Sequence, residues 1–291
     1  MSERYDAIVI GAGHNGLVCA ALLGKAGRKV LVLEANEMVG GAAVTREFAD
    51  GYSVSACAHL LYQLQPAVQK DLGLKVDLAA DQLNTIALAT DGQHVRVNGD
   101  TVSGVGDEDV ASYRQFHKRM TRFADLLNTY FNTMPPRLSK DASRSDMLTL
   151  ARLGFDVRRL GRTEMQAFLR LIGMNIRDEV VERFESGLLR GAISLDAVLG
   201  THLGPRSPNT ILTYLYRLAG AHGRLQQPAG GMGAVTESLA TAARNNGVVI
   251  RTGMPVKRIR IEDGRVTGVE TTAGESFASP LVVSNADPKS T

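Results

Sequence analysis

The segment that most constrains the fold is the first 41 residues. Tyr5-Asp6-Ala7-Ile8-Val9-Ile10 reads as a short buried strand running directly into Gly11-Ala12-Gly13-His14-Asn15-Gly16, which opens a helix. This is the strand–turn–helix context that a GxGxxG motif needs before it can be read as a dinucleotide turn. Gly11 permits the tight turn, Gly13 lets a pyrophosphate approach bare backbone, and Gly16 lets the helix pack closely on the strand. The helix N-terminus then receives the phosphate charge. Leu17, Ala20, Ala21 and Gly24 recur at helical spacing, Gly27 ends the helix, and residues 29–33 form a second strand closing on Glu34. An acid at that strand tip, 18 residues after Gly16, is placed to accept hydrogen bonds from the adenosine ribose and to repel a 2′-phosphate. NADP is thereby disfavoured. Gly40-Gly41, six residues beyond Glu34, has no use in a simple NAD site. In flavoproteins such a doublet passes close under the FAD phosphates and ribitol, so the predicted cofactor is FAD. His14 lies in the phosphate turn and is a cofactor neighbour rather than a base.

These strings resemble a known family. Gly-Ala-Gly-His-Asn-Gly-Leu-Val, Leu33-Glu34-Ala35 and Val39-Gly40-Gly41-Ala42-Ala43-Val44-Thr45 are similar to the phytoene dehydrogenase-like flavoproteins, most closely the pyridine nucleotide-disulfide oxidoreductase domain-containing protein 2 group. The likeness continues through Pro228-Ala229-Gly230-Gly231-Met232-Gly233 to Val282-Val283-Ser284-Asn285-Ala286. It implies an FAD-dependent desaturase- or amine-oxidase-like oxidoreductase acting on an apolar or small organic substrate. Cofactor contacts would come from Gly11, Ala12, Gly13, His14, Asn15, Gly16, Glu34, Ala35, Gly40, Gly41, Ala42 and Thr45, with the backbone at Val256 pairing with the adenine. Many members place an arginine directly after the glycine doublet. Here that position is Ala42, and Arg46 is the nearest basic residue.

The predicted fold class is α/β: a Rossmann-like FAD-binding domain with a β-meander and an inserted, mainly helical substrate cap. Expected boundaries are 1–75 for the FAD-binding βαβ part, 76–225 for a small sheet plus helical insertion, and 226–291 for the return to the FAD domain. Residues 51–74 read as a loop and short helix; Asp91-Gly92 and Asn98-Gly99 mark hairpin turns. From Glu108 to about Arg190 the pattern is helical, with Phe116, Met120, Phe123, Leu126, Leu127 and Tyr130 on one stripe ended by Pro135-Pro136. Further helices are expected from near Asp146, over Glu164–Gly173 and over Arg177–Leu189. After a helix containing Val235, Leu239, Ala242 and Ala243, strands are expected at 248–251, 256–261, through Val266 and Val269, and at 281–283. Near Thr291 nothing resembles the glycine-rich segment that holds the flavin ring in the family. The expectation is a fragment or truncated form of the family fold, or one completed by a partner, as a homo-oligomer or with a complementing C-terminal segment.

Composition excludes several other classes. A net charge of +3 with no Trp and 5% aromatics offers neither the basic surface nor the stacking platforms of a nucleic-acid binder. Basic residues do gather between Arg114 and Arg170, twelve Lys/Arg against five Asp/Glu. Solvated helix faces explain them, with an anionic membrane surface or a partner as the alternative. The absence of an export signal and of a long apolar stretch points to an intracellular, cytoplasmic protein. Cys19 and Cys57 are too far apart for a redox pair, which disfavours disulfide exchange; Cys19 reads as a small buried residue. His59 reads as structural rather than catalytic, no catalytic base is named, and no metal site is assigned. A non-catalytic nucleotide-binding or interaction protein derived from such an enzyme is the competing reading.

Overall fold

The computed structural model describes residues 3–131 and 133–291. It divides into a discontinuous unit, residues up to Asp81 together with Gln226–Thr291, and an inserted unit, Gln82–Leu225. The chain opens with β1 (Ala7–Ile10), α1 (His14–Lys25) and β2 (Val30–Leu33). Ala7, Ile8, Val9 and all of β2 are buried, because a parallel strand covered on both faces needs an unbroken apolar run. Next come β3 (Thr45–Ala49), β4 (Tyr52–Ser55), α2 (Pro66–Leu72) and β5 (Leu78–Ala80). The hairpin of β3 and β4 turns at Asp50-Gly51; over residues 51–74 the sequence suggested a loop and a short helix, and the helix is α2 while the strand β4 was not expected. The hairpin's apolar residues face water, with Phe48 70% and Tyr52 67% exposed, so no buried face imposes the alternation that would betray a strand.

The inserted unit begins with a small antiparallel sheet of β6 (Thr85–Ala87), β7 (Val95–Asn98) and β8 (Thr101–Ser103). Helices follow: α3 (Asp107–Phe131), α4 (Arg144–Arg159), α5 (Arg162–Leu171), α6 (Ile176–Arg183), α7 (Gly187–Val198) and α8 (Thr210–Ala219). Tyr113, Phe116, Met120 and Phe123 of α3 share one core with Phe168, Phe184, Leu189, Ile211 and Leu215. Phe116 meets Phe184 edge-on at 5.5 Å and Phe123 meets Phe168 at 5.3 Å, geometries that aromatic quadrupoles favour. The single helix expected over Arg177–Leu189 is two helices. Buried Asp109, from α3, accepts the backbone N–H groups of Glu185 and Ser186 at 2.8 Å each and stops the chain from continuing as helix. Ser186 then caps α7 through the N–H of Leu189. Helix α8 was not anticipated: its Ile211, Tyr214 and Tyr216 have modest intrinsic helix preference, and packing against α3 stabilises it.

The chain returns through β9 (Gln227–Pro228), α9 (Met232–Asn245), β10 (Val249–Arg251), β11 (Val256–Glu262), β12 (Arg265–Thr271), β13 (Ser276–Ala278) and β14 (Val282–Ser284). Pairing of β5 with β9 puts residues 76–81 in the discontinuous unit rather than in the insertion. A parallel sheet runs in the order β10-β2-β1-β14. The meander β11-β12-β13 is antiparallel, and its third strand, β13, follows the Ala273-Gly274 turn without having been foreseen. The chain steps outward from β1 to β2 to β10 and then crosses back to β14 on the other side of β1, and this reversal opens a crevice beyond the ends of β1 and β14.

Candidate cofactor site

The crevice is walled by the glycine turn. Gly11 N–H donates to Leu33 O at 2.8 Å, tying the turn to the end of β2. A Cβ on Gly16 would lie 2.2 Å from Gly11 O, so only glycine lets α1 start this close to the strand. Gly13 precedes α1, whose N-terminus has no side-chain cap; the first N–H groups are left for an anion. The glycine doublet lies against this turn: Gly40 N–H donates to Ala12 O at 2.8 Å, and a Cβ on Gly41 would be 3.3 Å from the Gly13 Cα.

Glu34 is buried at 5% exposure and is more than a strand-tip acid. One carboxylate oxygen accepts from Ala12 N–H at 2.7 Å, and the other accepts from the Asn36 N–H at 3.0 Å and the Asn36 side-chain amide at 2.8 Å. It therefore locks the turn to β2 while retaining acceptor capacity, since a carboxylate has about four lone-pair sites. Its backbone continues the scaffold. Met254 N–H donates to Glu34 O at 2.8 Å and Gly253 N–H to Asn36 O at 2.9 Å, which brings Val256, at the start of β11, beside Glu34.

A groove of about 400 Å³ results, lined by Gly11, Gly13, His14, Glu34, Ala35, Gly41, Ala42 and Val256, together with Ile10, Leu33, Asn285 and Ala286. Eight of the thirteen residues expected from sequence thus line one cavity. Ala12, Gly16 and Gly40 support it from behind, and Asn15 is exposed on α1. Thr45 is not brought to this groove. Its hydroxyl donates to Gly230 O at 2.9 Å and accepts from Gly233 N–H at 3.0 Å, and it lines a separate groove beside α9. Buried Thr236 completes that clamp, its hydroxyl 3.0 Å from Ala43 O, so α9 fixes the segment that carries the doublet.

Asn285 was quoted from sequence but not assigned a role. Its N–H donates to Ile10 O at 2.8 Å, and a Cβ on Gly13 would lie 2.8 Å from its side-chain nitrogen. The available signal was its position just past a late buried strand, the place where a fourth parallel strand meets the glycine turn. Partial burial holds the His14 imidazole below its ordinary pKa. Arg46 is exposed on β3. Cys19 and Cys57 are free thiols, Cys57 and His59 both exposed. Cys19 is half-buried, and burial pushes its thiol pKa up. Among the described residues, no group of three or more His, Cys, Asp or Glu could hold a metal ion, and no helix is long and apolar enough to cross a membrane.

The residues fit the ADP half of a dinucleotide: a cradle that side chains would fill, uncapped helix N–H groups, and an acid beside them. Comparison with known proteins agrees. The chain is 29% identical over its whole length to pyridine nucleotide-disulfide oxidoreductase domain-containing protein 2 of Mus musculus, covering 55% of that protein. It is 29% identical to a limonene dehydrogenase polypeptide of Castellaniella defragrans, covering all of this chain and 54% of the relative. The chain spans about half the length of these curated relatives. Among solved structures, a triple mutant of putrescine oxidase superposes over 97% of this chain and 58% of its own with a TM-score of 0.62 at 19% identity, and cyclohexylamine oxidase of Brevibacterium oxydans over 96% and 57% with 0.56, also at 19%. The matches point to FAD as the cofactor. Residues 16–290 match the flavin containing amine oxidoreductases, and the chain belongs to that family.

Proposed function

We propose that this chain binds the ADP half of FAD in the β1–β2 groove and serves an oxidoreductase that removes a hydride equivalent from a small apolar or amine-bearing substrate. The observation that carries the reading is the convergence of Gly13, Gly41, Glu34 and Val256 on one groove. Gly13 and the first turn of α1 would take the pyrophosphate, Glu34 the ribose hydroxyls, and the Val256 backbone the adenine. Bound FAD supplies two-electron acceptance, while the protein supplies position and electrostatics. The substrate class is supported by relatives named for limonene and for phytoene and by folds named for putrescine and cyclohexylamine. All four names denote substrates with C–H bonds beside an alkene or an amine.

Calorimetry with ADP, FAD and 2′-phospho-ADP tests the groove assignment. ADP should compete with FAD for one site. A 2′-phosphate, facing the Glu34 carboxylate, should bind more than tenfold more weakly, a difference of about 1.4 kcal/mol. Equal affinity for the 2′-phosphorylated nucleotide would show that Glu34 does not meet the ribose.

A further inference from the structure

Helix α4 of the inserted unit presents two apolar faces. Leu150, Leu153 and Val157 are half-buried, Val157 against the core of the unit, and no residue of the helix is fully buried. The opposite face exposes Leu148 and Phe155 at 71 and 61%, and Met147, 63% exposed, lies on the flank between the two faces. With about 3.6 residues per turn, Leu148, Ala151 and Phe155 fall along one line, Arg152 and Arg159 border it on one side, and Arg158 on the other. The Arg159 guanidinium lies 5.9 Å from the Phe155 ring centroid.

The charges on this face have one sign. Arg144, Arg152, Arg158 and Arg159 are exposed, whereas the acids of the helix, Asp146 and Asp156, are half-buried. Both are engaged, Asp146 in a capping box with Ser143 and Asp156 accepting from the Tyr130 hydroxyl at 2.6 Å. The segment leading into α4 exposes Met134 and Leu138 at 89 and 84% beside exposed Arg137 and Lys140, with one exposed acid, Asp141, following them.

We propose that α4 and residues 134–140 dock on the surface of an anionic lipid bilayer. A line of apolar side chains bordered on both sides by arginines is the chemistry of a helix lying in the interface. The apolar row enters the acyl boundary, while long arginine stems let the guanidinium groups reach back to the lipid phosphates. A solvated face would account for the arginines but not for Leu148 and Phe155 between them.

Vesicle sedimentation of the whole chain tests this without flavin or turnover, so its outcome is independent of the cofactor assignment. The chain should sediment with vesicles containing one-third phosphatidylglycerol, less so as salt is raised, and little with phosphatidylcholine alone. Each arginine near such a surface contributes about fivefold. Arg152→Gln with Arg159→Gln should therefore weaken partitioning about twenty-five-fold, and Leu148→Gln with Phe155→Gln should abolish it at unchanged charge. Circular dichroism confirms that the variants stay folded. Absence of sedimentation, equal partitioning to neutral vesicles, or indifference to both variants would overturn the proposal. So would a concentration-dependent dimer that Phe155→Gln dissociates without any vesicle binding, which would give this face to a second copy of the chain.

Discussion

Replacing Glu34 by glutamine should destabilise the discontinuous unit even without ligand, because the carboxylate is a strut before it is a ribose acceptor. As an anion it receives three donors: Ala12 N–H on one oxygen, Asn36 N–H and the Asn36 amide on the other. Glutamine offers one acceptor oxygen and an NH₂. If the oxygen turns to Asn36, the NH₂ faces Ala12 N–H and leaves that buried donor unpaired, a penalty of about 1–3 kcal/mol. The two retained bonds also lose charge assistance, about 1 kcal/mol each. The sum is about 3–5 kcal/mol, and at about 2 °C or more per kcal/mol for a chain of this size it lowers the melting temperature by at least about 6 °C. Hydrogen exchange localises the effect: the Ala12 amide should lose protection by a factor of about one hundred or more, while amides in α3 of the inserted unit stay unchanged. A variant that melts with the parent protein and keeps Ala12 protected would refute the strut.

Gly16→Ala drives a Cβ to within 2.2 Å of Gly11 O, backbone that cannot rotate away; it should cost about 3 kcal/mol or more and abolish FAD binding, read by thermal melting and flavin titration. Thr236→Val keeps the volume but drops the hydrogen bond to Ala43 O; FAD affinity should fall about three- to tenfold by calorimetry and recover in Thr236→Ser, and an unchanged affinity would remove α9 from the positioning of the doublet. Tyr130 is pushed up to about 12, first by desolvation and then by its hydrogen bond to Asp156. A raised folded pKa means that its contribution is present below the ordinary tyrosine value near 10 and is lost as pH climbs from there toward 12. Alkaline difference absorbance against Tyr130→Phe should show this late transition, and Asp156→Asn should move it down.

Local pattern revealed the βαβ start, the α9 helix and most of the meander, because the first strands are unbroken apolar runs, the later elements have a buried face, and glycine or Asx turns mark their ends. It also revealed most of the groove, since Gly11, Gly13, Glu34 and Gly41 lie close together in the chain and act through backbone geometry that only their residue types permit. What remained hidden depends on partners distant in sequence. The break between α6 and α7 is made by Asp109, 76 residues before Glu185. Asn285 acquires its place only because β14 closes beside β1, and Thr45 is drawn to α9 by groups nearly two hundred residues away. The β3–β4 hairpin was invisible for another reason: with neither face buried, nothing selects the residues that would announce it.

The division of the chain also sets an order of assembly. Strands β1 and β2 can pair with each other early, but their outer neighbours β14 and β10, and the helix α9 that packs on α1, come from the far side of Gln82–Leu225. At about 5–20 residues per second, a ribosome needs on the order of ten seconds to half a minute to make that stretch. The inserted unit, which is continuous in sequence and has its own core, can therefore fold while the first βαβ segment still waits with Val30–Leu33 exposed along one edge. Closing so long a loop carries an entropic cost that grows only slowly with length, yet pairing across it delays folding. The nucleotide groove consequently forms only after the inserted unit has been made, and the apolar edge of β2 is where misassembly would begin if the segment carrying β10 and β14 arrived late.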